Sequence, residues 1–248
     1  MRFRPIGLIL LVLMVVPMLL SCTAATTTPS TSEVSTKPYG TLNIAVNFRG
    51  GTLDPAINTP NVLQTLSLGI FDSLVELTPD AKPRPGIAER WEISADGKAH
   101  TFFIRKGVKF HDGTDLTGAD VKFSLDRILA PEATHQDAAS WRPIVAGVDL
   151  KDEYTVVMNL KTPLFELLPG FTNFAGNNAI VPKKYIETKG VEYFRANPIG
   201  SGPWKVVKYI PGARLELEAN EAHWRVVPKF KNLNILSGPE EGTKVAML

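Results

Sequence analysis

Between residues 88 and 160 the hydrophobic period changes twice, and that order of periods leaves few folds open. Trp91 and Ile93 alternate with Glu92 and Ser94, Asp96-Gly97 follows, and Phe102 and Ile104 resume the alternation. Two period-two runs joined by Asp-Gly predict an antiparallel hairpin. Thr117-Gly118-Ala119-Asp120 then has the spacing of a capping box, and Val121, Leu125, Ile128 and Leu129 form one helical stripe that Pro131 ends. Beyond Asp152-Glu153, Tyr154, Val156, Met158 and Leu160 alternate again, which predicts a second hairpin. A helix with one apolar stripe and strands with one apolar face must cover each other, so the chain is expected to be mixed α/β.

The flanks fit that class. Leu42, Ile44 and Val46 predict a strand over 41–47, which Gly50-Gly51-Thr52-Leu53-Asp54-Pro55 breaks. Val62, Leu66 and Ile70, four apart, predict a helix over 61–70, and 73–77 returns as a strand. Pro182 to Gly190 reads as a short helix with proline at its start and glycine at its end. Strands over 204–209 and 214–218 are expected to pair around Pro211-Gly212, with a last strand over 233–236. The chain stops soon after it, at Leu248, in what resembles the first turn of a helix, and truncation is expected.

The amino terminus reads as an address. Arg2 and Arg4 precede an apolar run from Ile6 to Leu20, and Leu19-Leu20-Ser21-Cys22 closes it. This is the layout of a secretory signal over 1–21. The run is shorter than the roughly 20 apolar residues a spanning helix needs, and Gly7 and Pro17 interrupt it. The ending resembles a bacterial lipobox, in which the cysteine becomes the first mature residue and carries lipid. Cys22 is the single cysteine of the chain, so no internal disulfide and no multi-cysteine metal site is available. Residues 22–39 are expected to be a lipid-anchored flexible tether, since nine of the sixteen residues from Thr23 to Pro38 are Ser or Thr and bury too little to offset their ordering entropy.

Charge and motifs exclude several chemistries. The 27 basic and 25 acidic side chains come into balance once Arg2 and Arg4 are removed, so nothing advertises nucleic-acid binding. His100, His111, His135 and His223 have no partner at metal-binding spacing and read as surface or turn residues, with His111-Asp112-Gly113 as a turn. Gly200-Ser201-Gly202 precedes Pro203 and a strand rather than a helix, and lacks both the dinucleotide fingerprint and the P-loop lysine. No G-x-S-x-G elbow occurs. No catalytic residue, metal ligand or cofactor is assigned.

A longer pattern carries more. Ala88-Glu89-Arg90-Trp91, Ser94-Ala95-Asp96-Gly97, the run Phe102 to Gly113, and Ala119-Asp120-Val121-Lys122-Phe123-Ser124 together resemble the signature of the family 5 extracellular solute-binding proteins of ABC importers. Leu53-Asp54-Pro55, Phe71-Asp72-Ser73-Leu74-Val75, Asn197 to Trp204 and the stretch Glu218 to Trp224 continue the resemblance in order. Departures are small: Thr101 stands where an aromatic is common, and Leu116 where Phe is common.

The resemblance implies a periplasmic-binding-protein-like (type II) fold. Residues 40–73 and 181–248 would form an incomplete first lobe, 74–180 an inserted α+β subdomain, and the second lobe would be absent. It implies capture of oligopeptides or dipeptides, with a nickel complex less favoured, and delivery to the transmembrane subunits of an ABC permease. The protein would be exported, monomeric and held at the outer face of the cell membrane or in the periplasm by lipid on Cys22. Thr59, Pro60 and Asn61 match a stretch bordering the ligand, and Trp141 and Phe174 fall in segments that approach the cleft, with a helix start and core packing as their bland readings. Gly200, Ser201 and Gly202 are given a backbone role in the passage back to the first lobe. An envelope hydrolase with dispersed acids, and a structural lipoprotein or non-functional fragment, remain as alternatives.

Overall fold

The computed structural model describes residues 37–48, 50–57, 65–167 and 178–238. These residues contain two four-stranded sheets, a two-stranded ladder and four short helices.

The first sheet is antiparallel, in the order β4 (Ala88–Ile93), β5 (Ala99–Ile104), β7 (Thr155–Leu160), β6 (Val145–Asp152). Both expected hairpins are present. Trp91 lies opposite Phe102, and Leu150 opposite Val156. At the first turn Gly97 takes φ +68°, and the Asp96 carboxylate accepts from the Ser94 hydroxyl at 2.6 Å and the Lys98 N–H at 3.0 Å. Phe102, Ile104, Val156, Met158 and Leu160 are buried on one face, as alternation requires. Helix α1 (Gly118–Leu129) lays Val121, Leu125 and Ile128 into the same core. Its Asp120 carboxylate accepts from the Thr117 N–H at 2.9 Å and the Thr117 hydroxyl at 3.0 Å, which fixes where the helix begins. Gly118 lets the helix approach the sheet: its N–H donates to Glu153 O at 2.8 Å, and a Cβ there would lie 3.0 Å from that oxygen.

The second sheet is mixed, in the order β1 (Thr41–Val46), β10 (Asn232–Ser237), β9 (Arg214–Ala219), β8 (Trp204–Ile210). β8 and β9 form the expected hairpin, with Gly212 at φ +73°. β1 pairs β10 in parallel, Ile44 opposite Ile235. Leu215, Leu217 and Ile235 pack with Phe48, Leu53, Ile70 and Phe71 in a second core. Ile186 of α3 (Lys183–Lys189) and Phe194 of α4 (Val191–Ala196) join it. The first core draws its buried members from 74–180, the second from 48–71 and 179–235.

Three elements depart from expectation. β2 (Val75–Leu77) pairs with β3 (Pro83–Pro85), an exposed edge strand where prolines are tolerated. α2 (Ala138–Trp141) and α4 have too few residues to show a period. Of the helix expected over 61–70, residues 65–70 are described, and of these 65–67 are helical while 68–70 form a turn. The histidines need correction as well: His100, His135 and His223 are buried rather than on the surface, each with a hydrogen-bonded ring nitrogen.

Candidate functional site

The described residues concentrate their long-range polar contacts where the two cores meet. The chain crosses there at Phe71-Asp72-Ser73-Leu74, and the buried Asp72 carboxylate needs partners. It accepts from Trp224 Nε1 at 3.0 Å and faces His223 Nε2 at 3.3 Å, with Arg225 at 3.9 Å. Arg225 forks onto Glu76, one arm at 2.7 Å, and Arg84 Nε donates to the same carboxylate at 3.1 Å. The Trp224 ring is flanked by the Arg105 and Arg225 guanidiniums, each 4.8 Å from its centre. Asp72, Glu76, Arg84 and Arg225 line a cleft of about 250 Å³ with an apolar floor that includes Leu68 and Phe71.

A second tie uses His111. The Gly200 N–H donates to His111 Nδ1 at 3.1 Å, His111 Nε2 lies 2.9 Å from Gly202 O, and the His111 N–H donates to Gly200 O at 2.8 Å. Burial lowers this imidazole to about 4, with the Gly202 contact opposing. The ring is therefore neutral at physiological pH and carries its hydrogen on Nε2.

Helix α1 supplies two more ties. Arg127 forks onto the wholly buried Asp54 at 3.0 and 2.7 Å, and Arg195 Nε approaches the same carboxylate at 3.5 Å. Asp120 accepts the Lys183 N–H at 2.9 Å, and the Ser124 hydroxyl accepts the Val181 N–H at 2.9 Å. Burial raises Asp120 above the usual carboxylate range. In His111 and His223 both ring nitrogens already face protein partners, and the four carboxylates are each held by at least two. The chemistry of the joint is positional: it fixes two layers together. Among the described residues no group of three or more His, Cys, Asp or Glu side chains gathers to hold a metal.

The expected site residues divide sharply. Cys22, Thr59, Pro60, Asn61 and Phe174 lie outside the described residues. Trp141 is 0% exposed in the first core, 6.2 Å from the His135 ring, so it offers no face to a cleft and the expectation of a ligand-facing aromatic is corrected to core packing. Gly200 and Gly202 cross the backbone of 69–70 so closely that a Cβ would lie 2.1 Å from Ile70 O at the first and 2.7 Å from Gly69 O at the second. Ser201 between them is fully buried, and its hydroxyl has no hydrogen-bond partner among the described residues.

The joint itself was not singled out from sequence. Asp54 and Asp72 carried a signal, each being a lone carboxylate beside apolar residues, in Thr52-Leu53-Asp54-Pro55 and Ile70-Phe71-Asp72. Such a group needs a cationic or donor partner if buried, but sequence does not say which.

Residues 82–248 match the model of the bacterial extracellular solute-binding proteins, family 5 middle region. Over 172 residues the chain is 34% identical to a probable peptide ABC transporter periplasmic-binding protein, y4tO, of Sinorhizobium fredii, a match covering 68% of this chain and 31% of that one. It is 27% identical over 208 residues to the glutathione-binding protein GsiB of Salmonella choleraesuis, covering 83% and 40%. Among solved structures it resembles the binding protein MoaA of A. tumefaciens R10 in complex with mannopinic acid, with a TM-score of 0.75 at 27% identity, over 84% of this chain and 43% of that one. The chain thus spans between about a third and two fifths of the length of these curated relatives.

Proposed function

Because the chain belongs to the family 5 bacterial extracellular solute-binding proteins, we propose that it is the ligand-capturing component, or a portion of it, of an ABC importer for peptides. The observation that carries the reading is the family match over residues 82–248. The 34% identity to a probable peptide ABC transporter periplasmic-binding protein favours peptides over a nickel complex.

In this reading 40–73 and 181–248 are the first lobe and 74–180 the inserted subdomain, a division supported by the two cores and the residues each draws upon. Thr59, Pro60, Asn61 and Phe174 border the ligand. An extended peptide suits such a site, because its backbone groups can be satisfied by protein backbone while water fills roomy side-chain pockets. Closure of two lobes around the ligand then presents a new surface to the permease, a hinge switch driven by ligand contacts made only when closed. The protein is exported, works as a monomer, and is anchored through lipid on Cys22.

Two experiments test this. Disrupting the gene in its own host is expected to abolish uptake of labelled di- or oligopeptides, and unchanged uptake of every peptide class overturns the peptide reading. Labelled fatty acid is expected to enter the protein and to be lost on Cys22→Ala; equal labelling of the variant removes the anchor.

A further inference from the structure

The His111 ring joins segments that belong to different layers. It follows β5 and the core residue Phe110, while its partners Gly200 and Gly202 lead into β8 of the mixed sheet. A ring that accepts the Gly200 N–H at Nδ1 must carry its hydrogen at Nε2, where it donates to Gly202 O, so both contacts belong to one neutral tautomer. Protonation at Nδ1 sets two N–H groups against each other, and the Gly200 contact turns from attractive to repulsive.

Both ends of this clamp have further ties, and at Gly200 the tie is the His111 N–H, which donates to the Gly200 carbonyl at 2.8 Å. Gly202 O also accepts from Asn220 Nδ2 at 3.1 Å, and the Gly202 N–H donates to Ile70 O at 2.9 Å. At Gly200 the neighbouring Ile70 carbonyl blocks movement inward, since even a Cβ would lie 2.1 Å from its oxygen. A second ring proton at Nδ1 faces the Gly200 N–H, so its strain falls on that contact, and with Ile70 behind it the Gly200 amide can move only outward.

We propose that His111 is a proton-operated latch: neutral, it fastens the antiparallel layer to the 200–202 segment, and a proton on Nδ1 releases the Gly200 end. The groups that reach the ring electrostatically are Lys205 on β8, which opposes the proton, Asp72, which favours it, and His223, which opposes it. Burial is the largest influence, and together these lower the imidazole to about 4. The unfolded chain binds this proton near 6.5 and the folded one near 4, so the latch contributes fully above the first value. That contribution is lost as pH falls from 6.5 towards 4. His135, also lowered to about 4 by burial, adds to the same loss, so global stability alone does not isolate the latch.

The latch rests on no assumption about the ligand. Long-range proton–nitrogen correlation spectra of the 248-residue chain identify the tautomer, and amide exchange at Gly200 reports the contact. At pH 5.5 His111 is expected to remain the neutral Nε2–H form and to titrate near 4. Over that titration the Gly200 protection factor is expected to fall about tenfold or more, the loss of roughly one hydrogen bond. His111→Asn keeps an acceptor near the Nδ1 position without a titrating ring, and its Gly200 protection is expected to be independent of pH. Titration of His111 near 6.5, or Gly200 protection unchanged through it, overturns the proposal. So does an asparagine variant whose Gly200 amide opens over the same interval. Should that variant not fold, the two measurements on the unaltered chain decide.

Discussion

At the scale of single residues, the buried charges and close glycines set the most sensitive positions. Asp54 is wholly buried and its main partner is the Arg127 fork, so Arg127→Met strands a charge that Arg195, at 3.5 Å, compensates poorly. Breaking a buried pair from one side costs about 3–5 kcal/mol, whereas removing Lys122 from its exposed pair with Asp126 should cost about 0.5 kcal/mol or less. Urea unfolding of the two variants checks this, and equal losses would mean that Asp54 is adequately solvated. Gly200→Ala is expected to cost about 1–3 kcal/mol, because its Cβ meets backbone rather than a movable side chain. Gly147→Ala, with nothing within 4 Å of the added carbon, is the control expected to change little. If both alanine variants unfold at the same denaturant concentration as the parent, the 200–202 passage is looser than its geometry indicates.

At the scale of elements, α1 acts as the pin between layers. Its Asp120 serves the helix start through Thr117 and the start of α3 through the Lys183 N–H. Asp120→Ala leaves two backbone donors without acceptors, at about 1–3 kcal/mol each, while Asp120→Asn keeps one acceptor and should lose less than half as much. Melting of the two variants separates them, and equal losses would assign the effect to charge alone. The same helix shows what was legible in the sequence. Its stripe, its capping spacing and the hairpin turns at Asp96-Gly97 and Pro211-Gly212 involve partners a few residues apart, so local pattern sufficed. The pairing of β1 with β10 joins Leu42 to Leu233, and nothing local encodes a partner so remote. α4 escaped because Gly190 read as an end, yet at φ +88° it closes α3 and opens α4 together. His111 shows the same limit at the joint. The turn reading holds for Asp112, whose carboxylate accepts the Thr114 N–H at 3.0 Å, while the imidazole reaches residues 89 and 91 positions away.

At the scale of the whole molecule, these ties decide how the described residues move. Two cores linked only by chain crossings would open independently, but here Asp72, His111, Arg127, Asp120 and Ser124 bridge them through buried or half-buried hydrogen bonds. The slowest amides of β5 and β9 are therefore expected to exchange with the same opening free energy, as one cooperative unit. A lower value for either sheet would break that unit. Rigidity of this kind has a consequence for binding. In a closure mechanism the ligand's free energy comes from contacts made to both sides of a cleft, and a rigid platform that supplies one side gains little from closing. The chain spans 31% and 40% of two binding proteins it resembles. By itself it is expected to bind no peptide with micromolar or better affinity, which calorimetry against a peptide library measures directly. A saturable micromolar isotherm would place enough of the ligand site within these residues to function without a second lobe, and would overturn the two-sided reading of the cleft.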